Sequence, residues 1–123
     1  MLPTDAELEI LTVLWAQGPS TVRDVHTTIS ARKPSQYTTV LKTLQIMAEK
    51  GLVIRDEKQR AHVYEAAQPR EATQRQLAGH LLTKAFNGSA RNLMMGALSA
   101  RKTSKQDLAE LRKLLDDYEK EAH

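Results

Sequence analysis

Residues 35–65 read SQYTTVLKTLQIMAEKGLVIRDEKQRAHVYE. The first half of this stretch has a helical period, with Val40, Leu41, Leu44, Met47 and Ala48 on one face. Ser35 or Gln36 opens that helix, and it runs to about Lys50. Gly51 suits the position after a helix end, where the left-handed conformation is common. The pattern then changes. Leu52-Val53-Ile54-Arg55 and Ala61-His62-Val63-Tyr64-Glu65 have strand character, and between them Asp56-Glu57-Lys58-Gln59-Arg60 is too charged to be buried. A helix followed at once by a hairpin with a basic tip is the distal half of a winged helix-turn-helix.

The upstream sequence supplies the other half. Thr4 and Glu7 have the spacing of a capping box, in which each side chain satisfies an otherwise unpaired backbone donor. Leu8, Leu11, Leu14 and Trp15 follow as a helical stripe, and Gly18-Pro19 ends it. Trp15 sits on that stripe and reads as core. Ser20 or Thr21 caps a short second helix with Val22, Val25 and Ile29 inward, ending near Ala31. Lys33-Pro34 breaks it, because a residue before proline disfavours helical geometry. The order is therefore helix, helix, turn, helix, hairpin.

Downstream the chain is helical. One helix begins at Pro69 and carries Leu77, Leu81, Leu82, Ala85 and Phe86, and Asn87-Gly88 interrupts it. A second carries Leu93, Met94, Ala97 and Leu98. A third opens at Ser104 and carries Leu108, Leu111, Leu114, Leu115 and Tyr118. Short helices are marginal alone in water, so their apolar sides need a partner surface. A second copy of the chain is the economical answer, since closed two-fold dimers dominate homo-oligomers. The expected fold class is mostly α with a small β-hairpin. A winged-helix DNA-binding domain over 1–68 is followed by a helical dimerisation region over 69–123. Leu77, Leu81, Phe86, Leu93, Leu108, Leu111 and Leu115 are the expected dimer contacts.

Composition narrows the function. There are no cysteines among the 123 residues, which excludes disulfides, thiolate metal sites and cysteine nucleophiles. The four histidines, His26, His62, His80 and His123, have no metal-ligand spacing with one another or with a carboxylate. Each reads as a surface or wing residue. The five glycines stand singly, so no phosphate loop is present. No enzyme activity, cofactor or metal is expected. The amino-terminal stretch lacks a basic segment followed by an apolar run, so no signal peptide is expected, and no stretch is apolar enough for a membrane span. A cytoplasmic location is expected. The net charge of +3 is a mild hint of nucleic acid. From Thr21 to Tyr64 there are eight basic residues against four acidic ones, so a local basic face depends on the fold.

In a helix-turn-helix the early part of the second motif helix enters the major groove. Here its outward positions are Gln36, Thr38, Thr39, Lys42 and Thr43, with Ile46 beyond them. Gln pairs with adenine, Thr bonds a base edge or lays its methyl on a thymine methyl, and Lys reaches guanine or phosphate. These five polar residues are the candidate base readers, against the plainer reading of a solvated helix face. Arg23, Arg32 and Lys33, with Lys58 and Arg60 on the wing, are the candidate phosphate contacts, which position without reading sequence. Tyr37 either covers the helix start and touches a phosphate with its hydroxyl, or is a partly buried packing residue.

The segments from Leu2 to Trp15, Ser20 to Val25, Tyr37 to Leu44 and Glu49 to Val53, with Leu108 to Leu115 near the end, resemble the penicillinase repressor (BlaI/MecI) family of bacterial regulators in order and spacing. The resemblance implies a homodimer that represses by occupying a promoter operator of dyad symmetry, with Thr38, Thr39 and Lys42 in the groove. Members controlled by a membrane sensor of β-lactams are cut at an Asn-Phe bond in the dimerisation region. The matching stretch here, Leu93 to Leu98, lacks that dipeptide, which puts a sensor protease as partner in doubt. The paired cysteines of copper-responsive relatives are absent, and Ile46 stands where many members carry arginine. Two other readings are a ligand-responsive regulator, with Leu81, Leu82, Phe86, Leu93 and Met94 lining a pocket, and a winged-helix adaptor that binds protein instead of DNA.

Overall fold

A computed structural model of the chain describes residues 2–122, so His123 lies outside the described residues. The elements are α1 (Asp5–Gln17), β1 (Ser20–Thr21), α2 (Val22–Ser30), α3 (Tyr37–Lys50), β2 (Val53–Asp56), β3 (Val63–Ala66), α4 (Arg70–Ala85), α5 (Ala90–Ala100) and α6 (Lys105–Glu121). They fall into two compact units, the first ending at Gly79 and the second beginning at His80.

In the first unit local chemistry sets the element ends. Thr4 and Glu7 form the capping box of α1, and Thr21 and Asp24 form that of α2. Gly18 (φ 79°) stops α1 and Gly51 (φ 80°) stops α3, both in the left-handed half of backbone space that costs other residues energy. No side chain caps α3 at Gln36; the Gln36 carbonyl accepts from the amides of Thr39 and Val40 instead. The core joins Ile10, Leu11, Val13 and Leu14 of α1, Val22, Val25 and Ile29 of α2, and Val40, Leu44 and Met47 of α3 to Val53 and Tyr64 of the sheet. Trp15 packs against this core, and its indole N–H donates to the Gln68 carbonyl at 2.9 Å.

The expected two-stranded hairpin is one part of a three-stranded antiparallel sheet of order β1-β3-β2. β2 and β3 pair with Arg55 opposite Tyr64 and Asp56 opposite Val63, and β1 adds Ser20 opposite Tyr64. A strand of two residues leaves no alternation to detect, and the cap at Thr21 masks it. Both hairpin strands also begin one or two residues later than the sequence pattern puts them. The first unit runs past the expected boundary at residue 68, because Thr73 in the first turn of α4 is buried.

In the second unit Asn87 (φ 49°) and Gly88 (φ 78°) follow the end of α4, and the Gly88 amide donates to Leu82 O at 2.9 Å. Ser89 caps α5 and Ser104 caps α6. The Phe86 ring lies over Gly96, where an added Cβ would come within 3.5 Å of it. No residue of α5 or α6 is buried within the chain. Leu81, Met95, Leu98, Leu108, Leu114, Leu115 and Tyr118 all stand exposed. A groove of about 460 Å³ between α5 and α6 is lined by Met94, Leu98, Leu111 and Leu114 among others. Of the five residues expected to line a ligand pocket, Met94 faces this groove.

Candidate nucleic-acid interface

α3 puts its apolar face into the core and so turns a polar face outward. Gln36, Thr38, Thr39 and Lys42 are exposed or partly so, as is Thr43. Thr39, Lys42, Thr43 and Ile46 follow one another at i, i+3, i+4 and i+7, which places them along a single side of the helix. Three of the five candidate base readers, Thr39, Lys42 and Thr43, therefore share one side, while Gln36 precedes the helix and Thr38 is exposed in its first turn. One of them is altered by its neighbours. The Thr43 hydroxyl donates to Thr39 O at 2.8 Å, so its hydrogen is engaged within the helix.

Next to this face runs a groove of about 540 Å³ lined by Arg23 at the start of α2, Tyr37 and Gln45 of α3, Arg55 of β2, and Arg60 and His62 of the wing. Three arginines and, among the described residues, no carboxylate line it. Basic residues as far apart in sequence as Arg23 and Arg60 thus converge through the fold. Arg23, Tyr37 and Arg60 arrive as candidates from the sequence. Arg55, Gln45 and His62 do not, since the sequence shows them as strand or helix residues without revealing which side they take. Arg55 also pairs with Glu57 at 2.9 Å, which restrains its guanidinium at the groove edge.

The remaining candidates lie elsewhere. Arg32 is exposed in the turn after α2, and Lys33 pairs with Glu9 at 3.4 Å, so part of its charge is answered within the protein. Lys58 is exposed at the wing tip, where its backbone amide donates to Asp56 Oδ1 at 2.9 Å and shapes the turn.

Tyr37 is packed at the start of α3 and still accessible. It is 44% exposed at the groove, and its ring meets His26 edge to face, with centroids 5.7 Å apart. His26 Nε2 lies 2.8 Å from the Ser35 carbonyl, which can only accept, so that nitrogen carries the hydrogen. His26 thus ties α2 to the entry of α3. At the other end Lys50 pairs with the buried Glu7 of α1 at 2.8 Å. Burial opposes ionisation of Glu7, but the Lys50 hydrogen bond and charge and the Thr4 amide outweigh it and hold its pKa below the usual range. Sequence spacing identifies Glu7 as a capping residue and gives no sign of this second partner 43 positions away.

Among the described residues no group of three or more metal-ligating side chains comes together. No helix among them is long and apolar enough to cross a membrane.

Comparison with known proteins gives three findings. The sequence model of the penicillinase repressor family matches residues 3–117. The chain is 44% identical over 61 residues to the transcriptional regulator BlaI of two Mycobacterium tuberculosis strains, CDC 1551 / Oshkosh and H37Rv. That match covers 49% of this chain and 44% of each relative, so the chain spans under half the length of the curated relatives it matches. The crystal structure of a mutant MarR from E. coli superposes with a TM-score of 0.52 over 94% of this chain and 77% of that one, at 15% identity. This last likeness shows the winged-helix fold.

Proposed function

The chain belongs to the penicillinase repressor family, a family of transcriptional regulators and not of enzymes, and from that premise we propose that it is a homodimeric repressor of a dyad-symmetric promoter operator. The observation that carries this reading is the arginine-lined groove beside the exposed polar face of α3. A polyanion with readable edges answers both features at once.

In this reading α3 enters the major groove, with Gln36, Thr38, Thr39 and Lys42 against base edges. Arg23, Arg55, Arg60, Tyr37 and Lys58 hold the flanking phosphates, and Arg32 and Lys33 approach them from the turn. Two copies place their α3 helices in successive major grooves, about 34–36 Å apart. The helical region from residue 69 joins the copies, with Leu77, Leu81, Leu93, Leu108, Leu111 and Leu115 at the contact. Phe86 acts from behind, since it packs on Gly96 of its own chain. Repression is steric, and release follows loss of the dimer, because one winged domain makes too few phosphate contacts for tight specific binding. The protein acts in the cytoplasm.

Footprinting of purified protein on its own upstream DNA across a salt series tests the reading. A short protected dyad, dimer stoichiometry and steep salt dependence are expected. Weak binding without sequence preference at every salt concentration would count against it.

A further inference from the structure

Ile46 is an aliphatic residue on the same face of α3 as Thr39, Lys42 and Thr43. It is 38% exposed and takes no part in the core cluster that Val40, Leu44 and Met47 join from the opposite face. Thr43 precedes it by one turn. Because the Thr43 hydroxyl donates to Thr39 O, what that residue offers outward is its methyl group and a lone pair. Thr43 and Ile46 therefore make a short apolar strip on an otherwise polar reading face. Ile46 also stands seven residues beyond Thr39, roughly 10 Å along the helix axis. That is within the width of a major groove and far enough to meet a different base pair.

The major groove displays one apolar feature, the C5-methyl of thymine. We propose that Ile46 is a specificity-determining residue that reads a thymine methyl in each half-site, with the Thr43 methyl beside it. The inference rests on the DNA-binding reading above. A β-branched side chain suits the task. Its χ1 is already restricted in a helix, so little freedom is given up on binding. A residue at this position reads by shape and excludes water, where a charged one would anchor to phosphate or guanine.

The test uses the whole chain. Bound duplexes are selected from a random pool, and each thymine of the selected site is replaced singly by deoxyuridine, which removes only the methyl. Wild type is expected to lose about fourfold in affinity at one thymine per half-site, and about fifteenfold with both replaced, the scale of one buried methyl group on each side. Ile46→Ala is expected to be indifferent to deoxyuridine at that position while keeping wild-type sensitivity elsewhere. Ile46→Val, which keeps a branched methyl, is expected to restore the dependence. If Ile46→Ala and wild type respond alike at every thymine, the assignment is overturned while the regulator reading stands. If wild type enriches no sequence at all, both fall together.

Discussion

Lys50 Nζ, on the last residue of α3, lies 2.8 Å from Glu7 Oε2, in the first turn of α1. Glu7 is 3% exposed, and its other oxygen accepts from the Thr4 amide at 2.9 Å. One carboxylate thereby closes the α1 cap and fixes the far end of the helix proposed to read DNA. Glu7→Ala would leave the Thr4 amide and the Lys50 ammonium without their acceptor, and a loss of about 1–3 kcal/mol of stability is expected. The pH dependence has a defined sign. A carboxyl whose pKa is lowered by folding stabilises the folded state above its unfolded pKa, and that contribution disappears as the pH falls through the folded value. Acid titration of the unfolding midpoint should therefore show a loss below the ordinary glutamate range that is smaller in Glu7→Ala.

Lys42 and Thr39 point away from the core, so their removal tests recognition separately from folding. Lys42→Ala and Thr39→Ala are each expected to weaken specific operator binding, by about 1–3 kcal/mol if each reads a base directly. Unfolding temperature and dimer mass should stay at wild-type values. Operator affinity equal to wild type in both variants would place the reading face elsewhere.

Much of this arrangement is legible in the sequence. The helix ends are set by local signals, Thr4 with Glu7, Thr21 with Asp24, Gly18 and Gly51, each acting within a few residues. The exposed face of α3 follows from its period. What stays hidden is non-local. β1 is too short to show a pattern, and its pairing partner Tyr64 lies 44 positions away from Ser20. Arg55 joins Arg23 and Arg60 only because β2 pairs with β3 beside the start of α2. The seat of the Phe86 ring over Gly96 of α5 is likewise hidden, since Gly96 reads in the sequence as one more single glycine.

The wing should contribute affinity without sequence preference. Lys58→Ala and Arg60→Ala are expected to weaken binding to operator and to unrelated duplex alike. Each should lower the slope of log affinity against log salt by roughly one for every phosphate that is no longer neutralised. Lys33→Ala is expected to change the slope less, because Glu9 already answers that charge in the free protein. A slope unaffected by Arg60→Ala would remove the wing from the interface.

His26 bears on how α3 is held at its start. His26→Ala takes the donor from the Ser35 carbonyl and the edge contact from Tyr37, the residues just before and within the first turn. Operator affinity should fall roughly two- to tenfold, the scale of one net hydrogen bond. His26→Gln, whose amide can donate to the same carbonyl, should recover most of it. Hydrogen exchange offers a readout independent of DNA, since the Thr39 and Val40 amides bonded to Gln36 O should exchange faster in His26→Ala alone.

The helical region poses the largest energetic question, because no residue of α5 or α6 is fully buried within the chain and Leu108, Leu114 and Leu115 stand exposed. An apolar area of this kind on neighbouring helices is unusual for a monomer. If a second copy covers it, a carboxylate placed there loses its hydration without gaining a partner, which costs several kcal/mol. Leu111→Asp and Leu115→Asp should therefore sediment as monomers at concentrations where wild type is dimeric. Operator affinity should drop with them to the level of a single winged domain, while the buried core around Leu44, Met47 and Tyr64 keeps its unfolding transition. The two variants also separate the interface from general destabilisation. Leu115 is 56% exposed in the isolated chain, so its replacement has little to disturb except an interface. A dimer mass unchanged in Leu115→Asp would move the interface to another face of the helices.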